Sequence, residues 1–563
     1  MSKKDLGFSN TRRKAIILFF FLLLIPVYWI AICAPAVGIY HDDGIYVVTA
    51  KALAEGKGYR IISLPDELVQ TKYPILFPSL LAVVWKIFPK FPENAILLKM
   101  VPLFGTFFWV WLLHRFIKEK EKNSDISTGI ILTTLATPWV VFFSVVILSE
   151  TIFAFLCTGA LIYLHRLEGN PGGKEICTLL LSSILAAAAF LTRAAGLPLL
   201  IAGTISLLLK RRYRTCVKFF LLYAIFVSPW IFWQSIHHGS YSWANSYYTS
   251  SNYQNWNILV NYPPSIKTEI FAKNLLFLLF SPTNLLGLNF GWFGTLYFPY
   301  TLAILVTSFS LLGFFRDLRM GIKSIHLFLL FYYGMLLIWV WPPIRFVVPI
   351  FPFWLFFAYK GITLVCANFS SSARILRIVN EGLVILLCLC LGSALYLSSS
   401  KVLRIHQAPV PISNPPTNEN YNWFGVSSLL AWTSENTPSD SVLLGNLDPT
   451  IYLYTGRKAV RGFVADPYLL YYSDKSDESL GSESDLLRVL ITQKVNYIIR
   501  TPDDNFFKEV PIFNRILDKI VLKDKETFHL VKEGFIPEYK IYWVNQNKLQ
   551  QDLFNENLSS LSK

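Results

Sequence analysis

The chain has 563 residues, of which 53% are hydrophobic and only 15% are charged. A soluble globular protein usually carries about 25% charged residues, so the composition excludes an ordinary soluble enzyme and predicts a polytopic membrane protein. The net charge of +15 is unevenly placed: residues 401–563 carry 18 Lys and Arg against 20 Asp and Glu, and the positive excess lies in residues 1–400. Because that excess falls between apolar runs, where membrane orientation requires it, we expect no nucleic acid among the partners.

Apolar runs in chain order predict about eleven membrane spans. The first run, from Ala15 to about Val37, is long enough to cross a bilayer and follows a basic N-terminus, which indicates a retained signal anchor with a cytoplasmic N-terminus. A polar first external loop, residues 38–94, comes next, and its stretch Pro74–Phe88 is amphipathic and predicts an interfacial helix. The further spans lie at about 95–113, 127–147, 149–165, 177–192, 195–209, 216–236, 296–315, 325–341, 346–365 and 381–398.

Basic clusters stand at alternate ends of these spans, which orients them by the positive-inside rule. An odd number of spans then puts residues 401–563 outside, in a multi-pass cell-membrane protein that we expect in a bacterial cytoplasmic membrane. The segment 237–295 is also external in this scheme and is rich in aromatic residues, which favours an interfacial belt over a sugar-stacking surface. These aromatic residues are Tyr241, Trp243, Tyr247, Tyr248, Tyr253, Trp256 and Tyr262.

The tail, residues 401–563, predicts a soluble extracytoplasmic α/β domain after the membrane domain, residues 1–400. A Pro-rich linker, 409–416, opens it, and short β-like runs at 441–444, 459–463 and 495–499 alternate with helical stretches such as 484–493. The tail holds none of the seven cysteines and has no nucleotide-binding fingerprint, and no cysteine spacing in the chain is typical of a metal site.

An acidic pair, Asp42-Asp43, stands directly after the first span. Adjacent carboxylates repel each other, so the pair indicates a cation, a proton transfer or a polar acceptor. The alternative is structural: Asp42 caps a helix that begins at Gly44, and Asp43 favours its positive end. The residue types alone leave both interpretations open.

Further ionisable residues lie at the predicted external ends of spans: Lys72, Arg193, Arg345 and Glu150. Ionisable groups near membrane depth are costly and are candidates for function. Each has a structural alternative, since the arginines can reach lipid head groups, Lys72 can be solvated and Glu150 can start a helix. Together they place cations and acids on one face, which suits a lipid-linked phosphate next to a general base.

The arrangement resembles the GT-C glycosyltransferases, in the branch of protein O-mannosyltransferases and lipid A aminoarabinose transferases. That branch typically reads Asp-Glu-x-x-Tyr-x-x-x-Ala-x-x-Leu in its first external loop. This chain has Asp42-Asp43-x-x-Tyr46-x-x-x-Ala50-x-x-Leu53, with Asp in place of Glu. Lys72-Tyr73-Pro74, Thr192-Arg193 and Arg345-Phe346-Val347-Val348-Pro349 follow in family order, and the tail run 448–457 resembles soluble domains of bacterial members.

The resemblance implies an inverting transferase that moves a hexose or pentose from a polyprenyl-phosphate donor to a lipid, glycan or protein acceptor. It implies that Asp42 is the catalytic base and that Asp43 positions the acceptor or binds a divalent cation, the one cofactor we consider. It also implies that Lys72, Arg193 and Arg345 bind the donor phosphate. Glu150 and Tyr46 are candidates for contacts with the acceptor or for a helix turn.

Three alternatives remain open from the sequence. A lipid-linked saccharide flippase or transporter would use the same cations, but transporters tend to show paired repeats and charges at the bilayer midplane. A surface-polysaccharide ligase or polymerase would use similar donors. A non-catalytic scaffold would use the tail to recruit partners.

Overall fold

The computed structural model describes most of the chain at residue level. The described residues are 10–120, 124–169, 172–237, 248, 259–286, 297–369, 373–407, 423–462, 467–473, 481–503, 509–534 and 537–551. Of the aromatic residues predicted to line segment 237–295, Tyr241, Trp243, Tyr247, Tyr253 and Trp256 lie outside these ranges.

Helices dominate residues 10–407. They are α1 (Asn10–Ile32), α2 (Asp42–Ala54), α3 (Leu76–Ile87), α4 (Ala95–Lys120), α5 (Ser124–Ala136), α6 (Pro138–Val145), α7 (Glu150–Glu168), α8 (Glu175–Thr192), α9 (Leu197–Leu209), α10 (Tyr213–Ile236), α11 (Pro264–Leu286), α12 (Tyr297–Arg319), α13 (Ser324–Leu337), α14 (Phe351–Phe369) and α15 (Ala373–Gln407). Short 3₁₀ turns at Gly172–Lys174, Ala194–Gly196, Pro343–Arg345 and Val348–Ile350 connect some of them.

Within the described residues, seven helices are long and apolar enough to cross a membrane, and the bent pair α5 and α6 makes an eighth if it counts as one span. The chain is therefore a mostly helical, multi-pass membrane protein. Four shorter apolar helices, at Ile17–Ile32, Leu76–Ile87, Ala194–Leu209 and Ser324–Leu337, have 10–17 residues. Since about 20 residues are needed to cross a bilayer, the figure of about eleven spans stays a prediction.

The span predicted at 127–147 is broken near its middle. Ile126–Ala136 and Pro138–Val145 meet at an angle of 64°. The cause is local: Pro138 cannot donate a backbone hydrogen bond, and a residue before proline avoids the helical region. Thr137 accordingly has an extended backbone, with φ −60° and ψ 126°.

Residues 38–94, which we predicted as the first external loop, contain two helices around a small hairpin. Strands β1 (Arg60–Ile61) and β2 (Leu68–Val69) pair antiparallel between α2 and α3. On α3 the buried Phe77, Leu81 and Trp85 recur every four residues, which is the spacing of one helix face. The amphipathic helix predicted within 74–88 is thus present.

A mixed five-stranded sheet lies in residues 423–551. Its strands are β3 (Val442–Leu444), β4 (Lys458–Val460), β5 (Tyr497–Arg500), β6 (Phe528–Glu533) and β7 (Lys540–Val544), in the order β4-β3-β5-β7-β6. Strand β3 is parallel to β4 and β5, and β7 is antiparallel to β5 and β6. The helices of this part are α16 (Trp423–Asn436), α17 (Asp448–Thr455), α18 (Pro467–Tyr471), α19 (Glu483–Thr492) and α20 (Glu509–Lys523). The three predicted β-like runs are strands, whereas β6 and β7 were not predicted.

The α2 segment and the tail share one hydrophobic core. A single cluster of buried residues joins Ile45 and Val48 of α2 to Leu444 and Val460 of the sheet. Backbone contact continues the connection, because the N–H of Ala459 donates to the carbonyl of Ser63 over 2.9 Å. The tail is therefore packed onto the loop that carries the acidic pair.

Helix α11 lies in the segment that we predicted as an external loop. Its Asn274 side chain is buried and donates to the backbone carbonyls of Leu336 and Trp339, over 3.1 and 2.9 Å, at the end of α13. Tyr472 of the tail donates to the carbonyl oxygen of the same side chain over 2.9 Å. The sequence pattern did not indicate this helix because charged residues, Lys267, Glu269 and Lys273, interrupt its apolar run.

Candidate active site

The acidic pair forms the first turn of α2. The helix begins at Asp42, and His41, not Asp42, occupies the cap position. The prediction that Asp42 caps a helix starting at Gly44 is therefore wrong. The reason is that the two carboxylates bond elsewhere: Asp43 turns back to the preceding loop, and Asp42 turns outward to a cation.

Asp43 holds the turn before the helix. Its two carboxylate oxygens accept the backbone N–H groups of Gly38 and Tyr40, over 2.7 and 2.9 Å. The side chain is buried, and burial raises the pKa of Asp43 to about 6 against the lowering effect of these hydrogen bonds. Near neutral pH the Asp43 carboxylate is a hydrogen-bond acceptor that fixes the backbone, and its pKa of about 6 is only slightly below that pH.

Asp42 faces a cation and a phenol. One carboxylate oxygen accepts from Arg345 Nη1 over 2.6 Å, and the other accepts a short hydrogen bond from the Tyr73 hydroxyl. Burial alone would raise the pKa of Asp42, but Arg345, Lys72 and the Tyr73 bond together hold it well below its ordinary value. Asp42 is thus ionised, and Arg345 compensates its negative charge in this structure.

Arg345 comes from a 3₁₀ turn, Pro343–Arg345, between α13 and α14. Two prolines, Pro342 and Pro343, prevent a continuous helix here and point the segment into the site. Besides Asp42, the guanidinium approaches Glu150, with Nε 3.6 Å from Oε1. Its side chain is 33% exposed, so this cation still reaches solvent while it bridges two acids.

A second pair lies behind the first. Glu150 starts α7 and is 1% exposed, and its Oε1 accepts from Arg193 Nη1 over 2.6 Å. Arg193 also donates to the Ser149 hydroxyl over 3.1 Å, and the Tyr46 hydroxyl lies 3.2 Å from the same oxygen. Glu150 therefore does more than start a helix: it connects the two arginines.

Lys72 lies in the loop before α3, and its ammonium is 5.3 Å from the centroid of the Tyr73 ring. Removal from water lowers the pKa of Lys72 to about 8, with Arg461 and Arg345 adding to the lowering and Asp42 opposing it. Arg461, on the tail, is ion-paired with Glu509 over 2.7 Å. Arg461 of the tail therefore lies close enough to Lys72 to act on its charge.

The structure thus brings together Asp42, Lys72, Arg193, Arg345, Glu150 and Tyr46, from five separate segments of the chain. The three cations face two carboxylates, those of Asp42 and Glu150, which leaves a positive excess of one that suits an anionic ligand. Asp43 is adjacent but turned away. Sequence reasoning missed the Tyr73 and Ser149 hydroxyls, although Tyr73 stands next to Lys72 in the quoted motif.

The carboxylate oxygens of Asp42, Asp43 and Glu150, in the positions that they occupy here, do not form a binding site for a divalent cation. Among the described residues no three His, Cys, Asp or Glu side chains gather as metal ligands. Both oxygens of Asp42 and of Asp43 accept hydrogen bonds, whereas a hard cation takes six or more oxygen ligands. Buried Glu150 Oε2 is the one carboxylate oxygen of these three acids without a hydrogen-bond partner.

Comparison with known proteins gives a fold. No protein-family model matches the chain, and no curated protein sequence matches it. Among solved structures, ArnT from Cupriavidus metallidurans bound to undecaprenyl phosphate is similar, with 11% identity, a TM-score of 0.57, and alignment over 94% of this chain and 98% of that chain. The apo state of the same ArnT aligns with 10% identity and a TM-score of 0.54, over 95% and 98%. ArnT is a GT-C glycosyltransferase, so the chain has the GT-C fold that the residues around Asp42 predicted.

Proposed function

We propose that this protein is a membrane glycosyltransferase that takes a sugar from a polyprenyl-phosphate donor. The observation that carries the proposal is the arginine shared between Asp42 and Glu150 at a partly exposed position beside Lys72. A carboxylate and an accessible cationic pair at one site can serve a hydroxyl and a phosphate together. The undecaprenyl phosphate in the similar ArnT structure supports this class of donor.

In the proposed reaction Asp42 is the general base. The acceptor hydroxyl oxygen attacks the anomeric carbon, the bond from that carbon to the phosphate oxygen breaks, and the hydroxyl proton passes to Asp42. Polyprenyl phosphate leaves with the electron pair from the opposite face, so the configuration inverts. A positioned base typically contributes about 10²–10⁴-fold.

Arg345 links donor binding to the strength of this base. A carboxylate whose pKa is held low by a cation is a weak base. When the donor phosphate binds, its negative charge competes for Arg345, and the attraction on Asp42 weakens. The pKa of Asp42 then rises toward its ordinary value when the donor is present, which favours proton transfer only in the loaded site.

The remaining cations divide the work. Lys72 and Arg345 contact the phosphate and stabilise the charge that develops as the donor bond breaks. Arg193 is already paired with Glu150 over 2.6 Å, so we propose that this pair orients Arg345 through Glu150 and that Arg193 makes no full contact with the phosphate. Tyr46 fixes the Ser149 hydroxyl within the same network.

Asp43 has a positioning role in this proposal. A divalent cation bound by Asp43, which we considered from the sequence, would have to displace the N–H groups of Gly38 and Tyr40. Transfer that is unaffected by EDTA, after dialysis into metal-free buffer, would support the positioning role. Transfer restored only by added Mg²⁺ or Mn²⁺ would assign the ion a role.

The proposal includes a topology. The N-terminus and basic clusters are cytoplasmic, and residues 401–563 and the site around Asp42 face outward, where a glycan, lipid or protein acceptor is met. A reporter fused after Lys401 tests this: an external signal agrees, and a cytoplasmic signal would place the site on the wrong side. The packing of the tail on the first loop requires the two to share one side.

The direct test is a transfer assay with purified protein in lipid nanodiscs. Radiolabelled polyprenyl-phosphate hexoses and pentoses are supplied with an envelope extract, and product is followed by mass spectrometry. Label transfer by wild type with release of polyprenyl phosphate supports the enzyme. Movement of intact donor across the bilayer of sealed proteoliposomes, without cleavage, would instead indicate a flippase.

A further inference from the structure

The backbone just before Asp42 is strained. His41 has φ 62° and ψ −59°, and the N–H of Asp42 donates to the carbonyl of Tyr40 over 2.7 Å. This combination is a γ-turn with positive φ, a rare conformation for a residue with a side chain. Strained backbone persists where surrounding contacts over-determine it, so the turn requires support from both sides.

One support is Asp43, and the other comes from the tail, more than 400 residues away. His41 Nε2 lies 3.0 Å from Asp448 Oδ1, and the Tyr248 hydroxyl donates to Asp448 Oδ2 over 2.8 Å. His41 is 2% exposed and Asp448 is completely buried. Burial lowers the pKa of His41, which favours a neutral imidazole that donates its Nε2 proton to the carboxylate.

Helix α17, which begins at Asp448, is seated directly on the turn. A Cβ atom added at Gly38 would lie 2.6 Å from Thr450 Oγ1, and one added at Gly44 would lie 2.6 Å from Pro449 Cβ. Both distances are shorter than any normal contact. The two glycines are therefore needed for the tail helix to approach the acidic pair this closely.

We propose that Asp448 is a positioning residue for Asp42, which acts through His41 and makes the tail part of the catalytic apparatus. The inference rests on the proposed role of Asp42. Asp448 holds the imidazole, the imidazole holds the γ-turn, and the turn sets the direction in which α2 presents the Asp42 carboxylate to Arg345. A misplacement of about 1 Å at a reacting group can cost about 10²-fold in rate.

The experiment compares Asp448→Asn, His41→Gly and the double variant. Asparagine is isosteric, but its NH2 group replaces one of the two oxygens that accept separately from His41 and Tyr248, and glycine adopts positive φ without strain. Tyr454→Phe is the matched control, because Tyr454 lies on the same helix and donates to the Pro35 carbonyl over 3.3 Å. The readouts are kcat and KM for the polyprenyl-phosphate sugar found in the transfer assay, and hydrogen exchange of amides 38–45.

We expect Asp448→Asn to lower kcat by about 10- to 100-fold with KM changed less than about threefold, and to speed exchange of amides 38–45. The double variant should lose no more than His41→Gly alone, because the two residues act as one unit. Additive losses of kcat in the double variant would overturn the proposal. A rise in KM that Tyr454→Phe shares would overturn it as well. The exchange readout needs no substrate, so it separates the two proposals. If wild type is active but Asp448→Asn does not change the exchange of amides 38–45, positioning is refuted. If Asp448→Asn speeds that exchange but wild type transfers no sugar, the proposed function is refuted.

Discussion

Two carboxylates of this chain, those of Asp317 and Asp42, accept hydrogen bonds from cationic side chains. They differ in how many donors each carboxylate has and in how exposed its cation is. Asp317 of α12 accepts from Lys360 through one oxygen and from Lys323 and His326 through the other, each over 2.9 Å. Asp42 has one donor on each oxygen, and its cation is shared with Glu150. The set of Asp317, Lys323, His326 and Lys360 is called the Asp317 cluster below.

The two sites also differ in how exposed their charged side chains are. Arg345 is 33% exposed, whereas Asp317 is 7% exposed and its lysines are 24% and 17% exposed. The Asp317 cluster is a saturated network that ties the end of α12 to the start of α13 and the middle of α14. The Asp42 site retains a cation that is 33% exposed, and in the proposed mechanism this accessible cation distinguishes the reactive carboxylate from the structural one.

The largest expected effect separates the two acids by chemistry. Asp42→Asn keeps the shape of the side chain but cannot take a proton, so transfer should fall by about 10²–10⁴-fold. Steady-state transfer with the purified variant measures it. Asp43→Asn is the neighbouring control, and we expect a smaller loss from its loosened turn; near-wild-type transfer by Asp42→Asn with an inactive Asp43→Asn would move the base by one residue.

Next comes the shared cation. Arg345→Ala removes a charged hydrogen bond to the donor phosphate, which is worth roughly 1.5–3 kcal/mol, or about one to two decades in affinity. Binding of undecaprenyl phosphate to the purified variant, by tryptophan fluorescence or native mass spectrometry, measures the loss. Arg345→Lys should fall between, because it keeps the charge but not the planar fork. Lys323→Ala, in the Asp317 cluster, should bind as wild type does.

A smaller effect concerns pH. Because the pKa of Lys72 is lowered to about 8, this cation loses its charge as the pH rises through about 8, and phosphate affinity should fall there. Lys72→Arg stays charged and should keep its affinity to at least about pH 10. Equal pH profiles for wild type and Lys72→Arg, between pH 6.5 and 10, would remove Lys72 from the phosphate site.

The smallest effect on transfer is expected at the Asp317 cluster. Asp317→Asn leaves the two lysines without their counter-charge and should cost about 2–3 kcal/mol of stability, since the lysines keep some solvent. Transfer per folded molecule should stay within about twofold of wild type. Thermal unfolding in detergent measures the first quantity; a specific loss of transfer at wild-type Tm would show that the cluster belongs to the mechanism.

The part of the site that could be predicted from the sequence is the part carried by short motifs. Asp42, Lys72 and Arg345 were found because ionisable residues at the ends of apolar runs stand out against a hydrophobic background. The GT-C fold followed from the same motifs. Tyr73 and Ser149 carry no such signal, because hydroxyls at the ends of helices are common.

Long-range pairing explains most of what was missed. Asp448 is an ordinary helix-starting acid in sequence, and only the fold places it against His41. Asp317 is hidden between Arg316 and Arg319, in a cluster that orientation rules explain fully. Asp43 was given a ligand role because its local hydrogen bonds depend on a turn whose geometry the sequence pattern does not specify.

The most direct test of the shared arginine is the affinity of Asp42→Asn for undecaprenyl phosphate, measured beside wild type and Asp43→Asn at one ionic strength. Asp42→Asn frees Arg345 and removes a negative charge from beside the phosphate, so we expect it to bind about fivefold more tightly, equivalent to roughly 1 kcal/mol. Asp43→Asn, whose carboxylate bonds to backbone, should change affinity less than about twofold. Binding by Asp42→Asn that is equal to or weaker than that of wild type would contradict the exchange of Arg345 between base and donor.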